Sequence, residues 1–171
     1  MASMENTTLC YLERGEEYLL LHRTKKENDL NHDKWMGVGG HFEEGESPED
    51  CMKREVWEET GLTVNSYRYR GIVTFVADGY SEYMHLFTAD GWTGTEKVCD
   101  EGDLQWMNKK EFAKLPMWEG DRIFLALLEQ NIPFFSLKLV YEKERLVKAV
   151  LNGEWAMQSA FHYNPFGTGK K

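Results

Sequence analysis

Long apolar runs and an excess of positive charge are both missing from this 171-residue chain. No apolar stretch approaches membrane-spanning length, and the N-terminus shows no basic segment followed by an apolar one. We therefore expect a cytoplasmic protein with no membrane partner. The formal net charge of -9 argues against binding to nucleic acid polymers, because phosphate backbones attract cationic surfaces. A small anionic substrate is still compatible with this charge, since a bound metal ion can reverse the local field.

Cysteine is also scarce. Cys10, Cys51 and Cys99 are an odd number of thiols with no close pair and no metal-binding spacing, which is typical of reduced, buried cysteines. The length favours a single domain over residues 1–171, with enough chain to bury a sizeable core. An aromatic tail begins at about residue 152, and the sequence leaves open whether it caps the sheet or forms a homodimer contact.

The segment from residue 40 to residue 62 carries the start and stop signals of a helix. Ser47 is a hydroxyl cap, Pro48 suits the first helical position, and Asp50 completes a pattern close to a capping box. Gly61 is the expected stop, because glycine adopts the left-handed conformation without strain. The sequence therefore predicts about three turns of helix between these signals.

Three carboxylates fall within one arc of that helix, those of Glu55, Glu58 and Glu59. Such neighbours repel one another by a few tenths of a kcal/mol per pair, so stability alone does not explain them. Their hard oxygens suit Mg²⁺, or Mn²⁺ as a substitute. A site of this kind can hydrolyse a phosphoanhydride, with a carboxylate taking a proton from water. A solvated acidic helix is the simpler alternative.

The same segment resembles the Nudix box at each of its defined positions, which are Gly40, Glu46, Arg54, Glu55, Val56, Glu58, Glu59, Gly61 and Leu62. The resemblance implies that Glu55, Glu58 and Glu59 bind the metal and take part in catalysis. It implies that the carbonyl of Gly40 also reaches the metal and that Arg54 orients a glutamate. Nudix enzymes differ in their general base, so that role stays unassigned.

The order of the elements predicts the same fold class as the resemblance. Strands expected at residues 7–13, 18–24, 66–77, 83–89, 104–107 and 134–141, with another at 146–151, surround the box helix and a second helix near 121–130. Their spacing is too close for simple crossovers, so we predict an α/β (mixed α+β) protein with a mixed sheet sandwiched by helices. The Nudix resemblance implies this α/β/α arrangement.

Outside the box, Arg23, Lys25 and Lys26 are candidates for holding phosphates, with a solvated basic loop as the alternative for the lysines. Glu101 is a second candidate for metal binding or base work, and a surface acid is the alternative.

The flanks resemble MutT-type hydrolases of oxidised purine nucleoside triphosphates. The resemblance implies that Trp118 and Asp121 bind the purine, by stacking and by pairing with its donor-rich edge. Met36 stands where the animal enzymes carry an asparagine, and Gly120 stands where they carry a second acid.

The expected activity is Mg²⁺-dependent hydrolysis of a nucleoside triphosphate such as 8-oxo-dGTP to the monophosphate and pyrophosphate. The alternatives are a Nudix hydrolase of a nucleotide sugar, ADP-ribose or a dinucleotide, or a nucleotide-binding module without catalysis. A core tryptophan is the alternative reading of Trp118.

Overall fold

A computed structural model describes residues 4–25 and 28–155. Lys26 and most of the predicted tail lie outside these residues. The chain divides into two compact units: the box unit, residues 7–69 and 86–117, and the second unit, whose described residues are 4–6, 70–85 and 118–155. The prediction of a single domain over residues 1–171 stays a prediction.

The strands of the box unit follow the hydrogen-bonded order β3, β2, β1, β5 and β4, and β6 pairs with β2. Their bounds are Glu5–Arg14 for β1, Glu17–Arg23 for β2, Trp35–Met36 for β3, Leu62–Ala77 for β4, Tyr80–Gly94 for β5 and Gly102–Asn108 for β6. Both β4 and β5 contribute residues to each unit. The β2–β6 ladder is antiparallel and runs the full length of both strands.

Helix α1, Pro48–Thr60, begins and ends at the predicted residues. The Ser47 hydroxyl accepts a hydrogen bond from the Asp50 backbone N–H, and the Asp50 carboxylate accepts one from the Ser47 backbone N–H. Gly61 ends the helix at φ 81°, in the left-handed region. Met52 and Val56 pack this helix into the core of the box unit, whose other members include Leu12, Leu19, Val38, Val64 and Phe87. The cap and the core together hold the glutamates of α1 in place.

The second unit contains helix α2 and the remaining strands. Its strand order is β5, β4, β7, β8 and β9. The bounds are Glu119–Glu129 for α2, Phe135–Glu142 for β7, Arg145–Leu151 for β8 and Glu154–Trp155 for β9. β7 runs parallel to β4 and antiparallel to β8, so the sheet is mixed. The predicted fold class, an α/β protein with a mixed sheet, is confirmed.

The hairpin of β4 and β5 is longer than the sequence predicted. The two strands span 16 and 15 residues, and β5 continues to Gly94, beyond the predicted end at residue 89. Polar residues there interrupt the alternating pattern that predicts a strand. Cross-strand contacts such as the 2.6 Å hydrogen bond from Ser66 to Asp90 stabilise this part of the hairpin. In the described part of the chain, no helix is long and apolar enough to cross a membrane.

Candidate active site

The three helix glutamates of α1 have different surroundings. Glu59 points inward and is only 6 % exposed, whereas Glu58 is 47 % exposed, and Glu55 lies between these extremes. The helical repeat places residues three and four apart on one face of the helix. Within that face, Glu59 lies nearest the core and Glu58 nearest the solvent, which accounts for the difference in exposure. The structure therefore brings Glu55 and Glu59 together on the buried side of the helix.

Arg54 connects the acidic side chains around α1. Its Nε and Nη2 donate to the two oxygens of Glu46 at 2.5 and 2.9 Å, and Nη1 donates to Glu55 at 2.8 Å and to Glu58 at 3.3 Å. These hydrogen bonds hold the pKa of Glu46 below its ordinary value and raise that of Arg54. One guanidinium thus sets the positions of three carboxylates.

Gly40 lies directly against the Glu55 carboxyl group. A Cβ atom at this position would stand 2.5 Å from Cδ of Glu55, a distance that real contacts do not reach. The Gly40 carbonyl accepts a hydrogen bond from the backbone N–H of Thr8 at 2.9 Å. Glycine therefore leaves room for the Glu55 carboxyl group beside the backbone, and a larger residue would require this side chain to shift. The predicted contact between this carbonyl and a metal ion stays a prediction.

Glu59 is the most perturbed acid of the box unit. Burial is the largest cause, and the charges of Glu101 and Glu55 add to it, so that the pKa of Glu59 rises to about 9. The Glu59 Oε1 atom is buried and has no hydrogen-bond partner. A buried carboxylate oxygen without a donor is costly, and a cation beside it would remove that cost.

Glu101 reaches this group from the segment before β6, and its partner is Arg23 at the end of β2. Arg23 Nη1 donates to Glu101 Oε1 at 2.5 Å, and Arg23 Nε donates to Asp29 Oδ2 at 2.7 Å. Burial lowers the pKa of Arg23, but the two carboxylates more than offset it, so the net shift is upward. The guanidinium that was predicted to hold phosphates is thus engaged by two acids.

The acidic side chains around Glu59 are hard oxygen donors. Among residues 4–25 and 28–155, no three His, Cys, Asp or Glu side chains stand close enough together, as placed, to hold one. The orphaned Glu59 oxygen and the carboxylate donors around it nevertheless suit a hard divalent cation. By donor chemistry the residues fit such an ion.

The predicted base-binding residues are divided between the two units. Met36 is half-buried on β3 and pairs with Leu21 of β2 in the strand register. Trp118 and Asp121 belong to the second unit, at the start of α2, and both are buried. The Trp118 ring packs edge-on against Phe75 and Tyr141, with ring centroids 5.2 and 4.9 Å apart. This surrounding is that of a core tryptophan, and its predicted contact with a base stays a prediction.

A family model described as the NUDIX domain matches residues 5–128. The chain belongs to the Nudix family. A Nudix hydrolase of Bacillus subtilis, YvcI, described as uncharacterized, is 35 % identical over 127 residues, which are 71 % of this chain and 77 % of the relative. The oxidized purine nucleoside triphosphate hydrolase of Mus musculus is 36 % identical over 103 residues, which are 59 % of this chain and 66 % of the relative.

Among solved structures, the Mutator MutT protein of Bacillus halodurans superimposes with a TM-score of 0.77 at 28 % identity, covering 88 % of this chain and 99 % of that one. Together these comparisons identify a MutT-type Nudix hydrolase. Nudix hydrolases use divalent metal ions and act on nucleotide substrates.

One ion-pair partner of the candidate site residue Arg23 was not predicted from the sequence. Asp29 contacts Arg23 and is among the least exposed acids of the box unit. Its Oδ1 atom also accepts the backbone N–H of Asn31 at 3.1 Å. The available signal was weak, because Glu27 and Asp33 in the same loop are further acidic candidates for an ion pair with Arg23.

Proposed function

We propose that this Nudix hydrolase cleaves oxidised purine nucleoside triphosphates, of the 8-oxo-dGTP kind, to the monophosphate and pyrophosphate, with Mg²⁺ as cofactor and Mn²⁺ as a substitute. The observation that carries the proposal is the buried Glu59 carboxylate, which has an unpartnered oxygen and lies among further acids on the box helix. The similarity to an oxidized purine nucleoside triphosphate hydrolase supports the substrate class.

The residues proposed to hold the cation are Gly40, Glu55, Glu58, Glu59 and Glu101. A bound divalent cation supplies charge neutralisation for phosphate oxygens and lowers the pKa of a water molecule. Arg54 keeps Glu55 and Glu58 in register on the helix through its hydrogen bonds to both. Proton acceptance is proposed for the glutamates of this group as a set.

Base recognition is proposed for Met36, Trp118 and Asp121, and phosphate contact for Arg23. The buried Asp121 carboxylate can pair with the donor-rich edge of a guanine-like base. Met36 presents a thioether, which packs against a base but offers only weak hydrogen bonding. Because Met36 stands where the animal enzymes carry an asparagine, we expect this protein to select bases less strictly than those enzymes do.

The test of the reaction is a panel of nucleotides incubated with Mg²⁺, with the products separated by chromatography. The panel contains oxidised and normal triphosphates, a nucleotide sugar, ADP-ribose and a dinucleotide. Oxidised purine triphosphates are expected to turn over fastest and to yield pyrophosphate. Preference for any of the other compounds would replace the proposed substrate, and tight binding without turnover would identify a binding module.

The test of the residues uses Glu58→Gln and Glu59→Gln. Each variant is expected to lose on the order of 10²-fold or more in kcat, because removing one ligand of the proposed metal site removes charge stabilisation of the transition state. Glu49→Gln is the matched control, since Glu49 lies in the first turn of the same helix. Full activity in both site variants would contradict the proposed metal site.

The base site is tested with Asp121→Asn, which keeps the shape of the buried side chain. The preference of the variant for an oxidised purine triphosphate over a pyrimidine triphosphate is expected to fall by on the order of 1–3 kcal/mol. The ratio of the two kcat/KM values measures this preference. Trp118→Phe preserves most of the packing and is expected to raise KM. Unchanged ratios and unchanged KM in these variants would leave Trp118 and Asp121 as core residues.

We also propose a cytoplasmic setting, no nucleic acid polymer as partner, and a homodimer. The three cysteines are free and buried, which supports a reducing compartment. Sedimentation of the full chain and of a variant truncated after residue 155 measures the oligomeric state and the contribution of the tail.

A further inference from the structure

The pair of Asp29 and Arg23 lies next to the proposed metal site, and the proposed function gives Asp29 no role. The Arg23 guanidinium forms ion pairs with two acids, through Nε with Asp29 at 2.7 Å and through Nη1 with Glu101 at 2.5 Å. The side chains of Arg23 and Asp29 are both largely shielded from solvent. Shielded ion pairs with hydrogen-bonded geometry hold their members more firmly than exposed ones.

The backbone around this pair fixes it from both sides. Arg23 is the register partner of Gly102 in the β2–β6 ladder, so Glu101 is placed immediately beside it. A Cβ atom on Gly102 would lie 1.9 Å from the carbonyl oxygen of His22, and only glycine allows this approach. Lys25 Nζ donates to the Cys99 carbonyl at 2.7 Å, a second connection between the same two segments.

The sharing of Arg23 between Asp29 and Glu101 affects how strongly Glu101 attracts a cation. If Arg23 paired with Glu101 alone, the guanidinium would neutralise the carboxylate and weaken its attraction for a metal ion. Because Asp29 also pairs with Arg23, the guanidinium and the two carboxylates together carry a net charge of one negative unit. Glu101 is also near enough to Glu59 for its charge to act there, and the charge of Glu59 acts on Arg23.

We propose that Asp29 is a positioning residue of the metal site, which acts through Arg23 to hold the Glu101 carboxylate beside Glu59 in an orientation suited to a divalent cation. This inference rests on the proposed function, because it requires that Glu101 contribute to the metal site. It adds to the box a residue that lies outside it in sequence and never touches the cation or the substrate.

The test measures the dissociation constant of Mn²⁺ by the paramagnetic resonance signal of the free ion, with Mg²⁺ as competitor and no nucleotide present. Asp29→Asn is expected to raise this constant about tenfold, which is the usual effect of removing a residue that supports a metal ligand. Asp33→Asn is the matched control. Asp33 lies in the same loop, but pairs with His22 and is exposed, so solvent screening should keep its effect within about twofold.

A double-mutant cycle distinguishes positioning from a general charge effect. In a Glu101→Gln background, Asp29→Asn is expected to change the Mn²⁺ dissociation constant no further. A full additional effect in that background, or equal effects of Asp29→Asn and Asp33→Asn, would overturn the proposal. A purely structural role would lower the melting temperature of the metal-free protein and leave the dissociation constant unchanged, and this result would also overturn it.

The readout separates this proposal from the proposed function. If the wild-type protein binds Mn²⁺ and Asp29→Asn weakens that binding while no triphosphate is hydrolysed, the substrate proposal fails and the positioning role stands. If triphosphates are hydrolysed and Asp29→Asn binds Mn²⁺ like the wild type, only the positioning role fails. A contact between Arg23 and phosphate would instead appear as a higher KM in Arg23→Lys with unchanged Mn²⁺ affinity.

Discussion

The two α-helices found in residues 4–25 and 28–155 begin in opposite ways. At the start of α1, Ser47 and Asp50 exchange two hydrogen bonds with backbone groups, and Pro48 occupies the first position. At the start of α2, Trp118 is the cap residue and makes no side-chain capping bond. Instead, the Gly120 backbone N–H donates to the Tyr141 hydroxyl at 2.7 Å, a contact from a distant strand. Helix α1 begins with local interactions, whereas α2 depends on tertiary ones.

This difference follows from what each helix buries. Helix α2 buries a nearly continuous apolar run, Phe124–Leu128, and so gains stability from packing. Helix α1 buries Met52 and Val56, but it also buries the Glu59 carboxylate and carries further acids. A helix that holds repelling charges for chemistry gains less from packing, so its caps matter more. The comparison predicts which substitutions harm which helix.

The largest effect is expected for Trp118→Ala, which removes a buried indole between Phe75 and Tyr141. We expect a loss of about 3–5 kcal/mol in the free energy of unfolding, measured by urea denaturation. Trp57→Ala is the matched control, because Trp57 is exposed on α1 and its contact with Lys97 is a cation–π pair worth about 1 kcal/mol or less. Equal losses in the two variants would remove the distinction between the helices.

Gly120→Ala is expected to destabilise the protein by about 1–3 kcal/mol. Alanine usually favours a helix over glycine, but here its Cβ would lie 2.4 Å from a methyl group of Leu139 and 2.7 Å from the Tyr141 hydroxyl. Thermal unfolding measures the effect. Glu49→Ala occupies the corresponding second position of α1 and should stay close to the wild type, and a stabilised Gly120→Ala variant would contradict the packing argument.

Ser47→Ala tests the local cap of α1 and is expected to cost about 1 kcal/mol. The hydroxyl of Ser47 accepts the Asp50 N–H at 3.0 Å, and alanine leaves that donor without a side-chain partner. Ser47→Asp should retain most of the stability, because a carboxylate caps equally well. A Ser47→Ala variant as stable as the wild type would show that packing, rather than the cap, holds α1.

Glu59→Gln is expected to change stability with the opposite sign, and its effect depends on pH. Because the folded-state pKa is raised from 4.5 to about 9, metal-free wild-type protein should lose stability as the pH rises through this interval. Glutamine does not titrate, so the variant should differ little from the wild type near pH 4.5 and become progressively more stable than it as the pH rises toward 9. Addition of Mg²⁺ should raise the melting temperature of the wild type and leave the variant unchanged. The reverse order of melting temperatures without metal would contradict the inferred environment.

The helices and strands that form through local interactions were easier to predict than those held by residues distant in sequence. The ends of α1 were predictable because Ser47, Asp50 and Gly61 act within four residues of the backbone groups that they satisfy. The start of β4 and the ends of β5 were not, because polar or small residues such as Asn65 and Gly91 have weak strand propensity and are held by their neighbours across the hairpin. The end of β4 at Ala77 was predicted correctly. The parallel pairing of β7 with β4 has no local signal at all.

The candidate site divides in the same way. The sequence by itself determined the glutamates of α1, their common face and Arg54 as their partner, since helical spacing alone brings those side chains together. Only the tertiary structure decided that Asp29 and Glu101 share Arg23, that Glu59 is the buried acid, and that Trp118 lies among core rings. The physical reason is that ion pairing across 78 residues of chain and desolvation depend on which segments pack together, and local spacing carries no record of that packing.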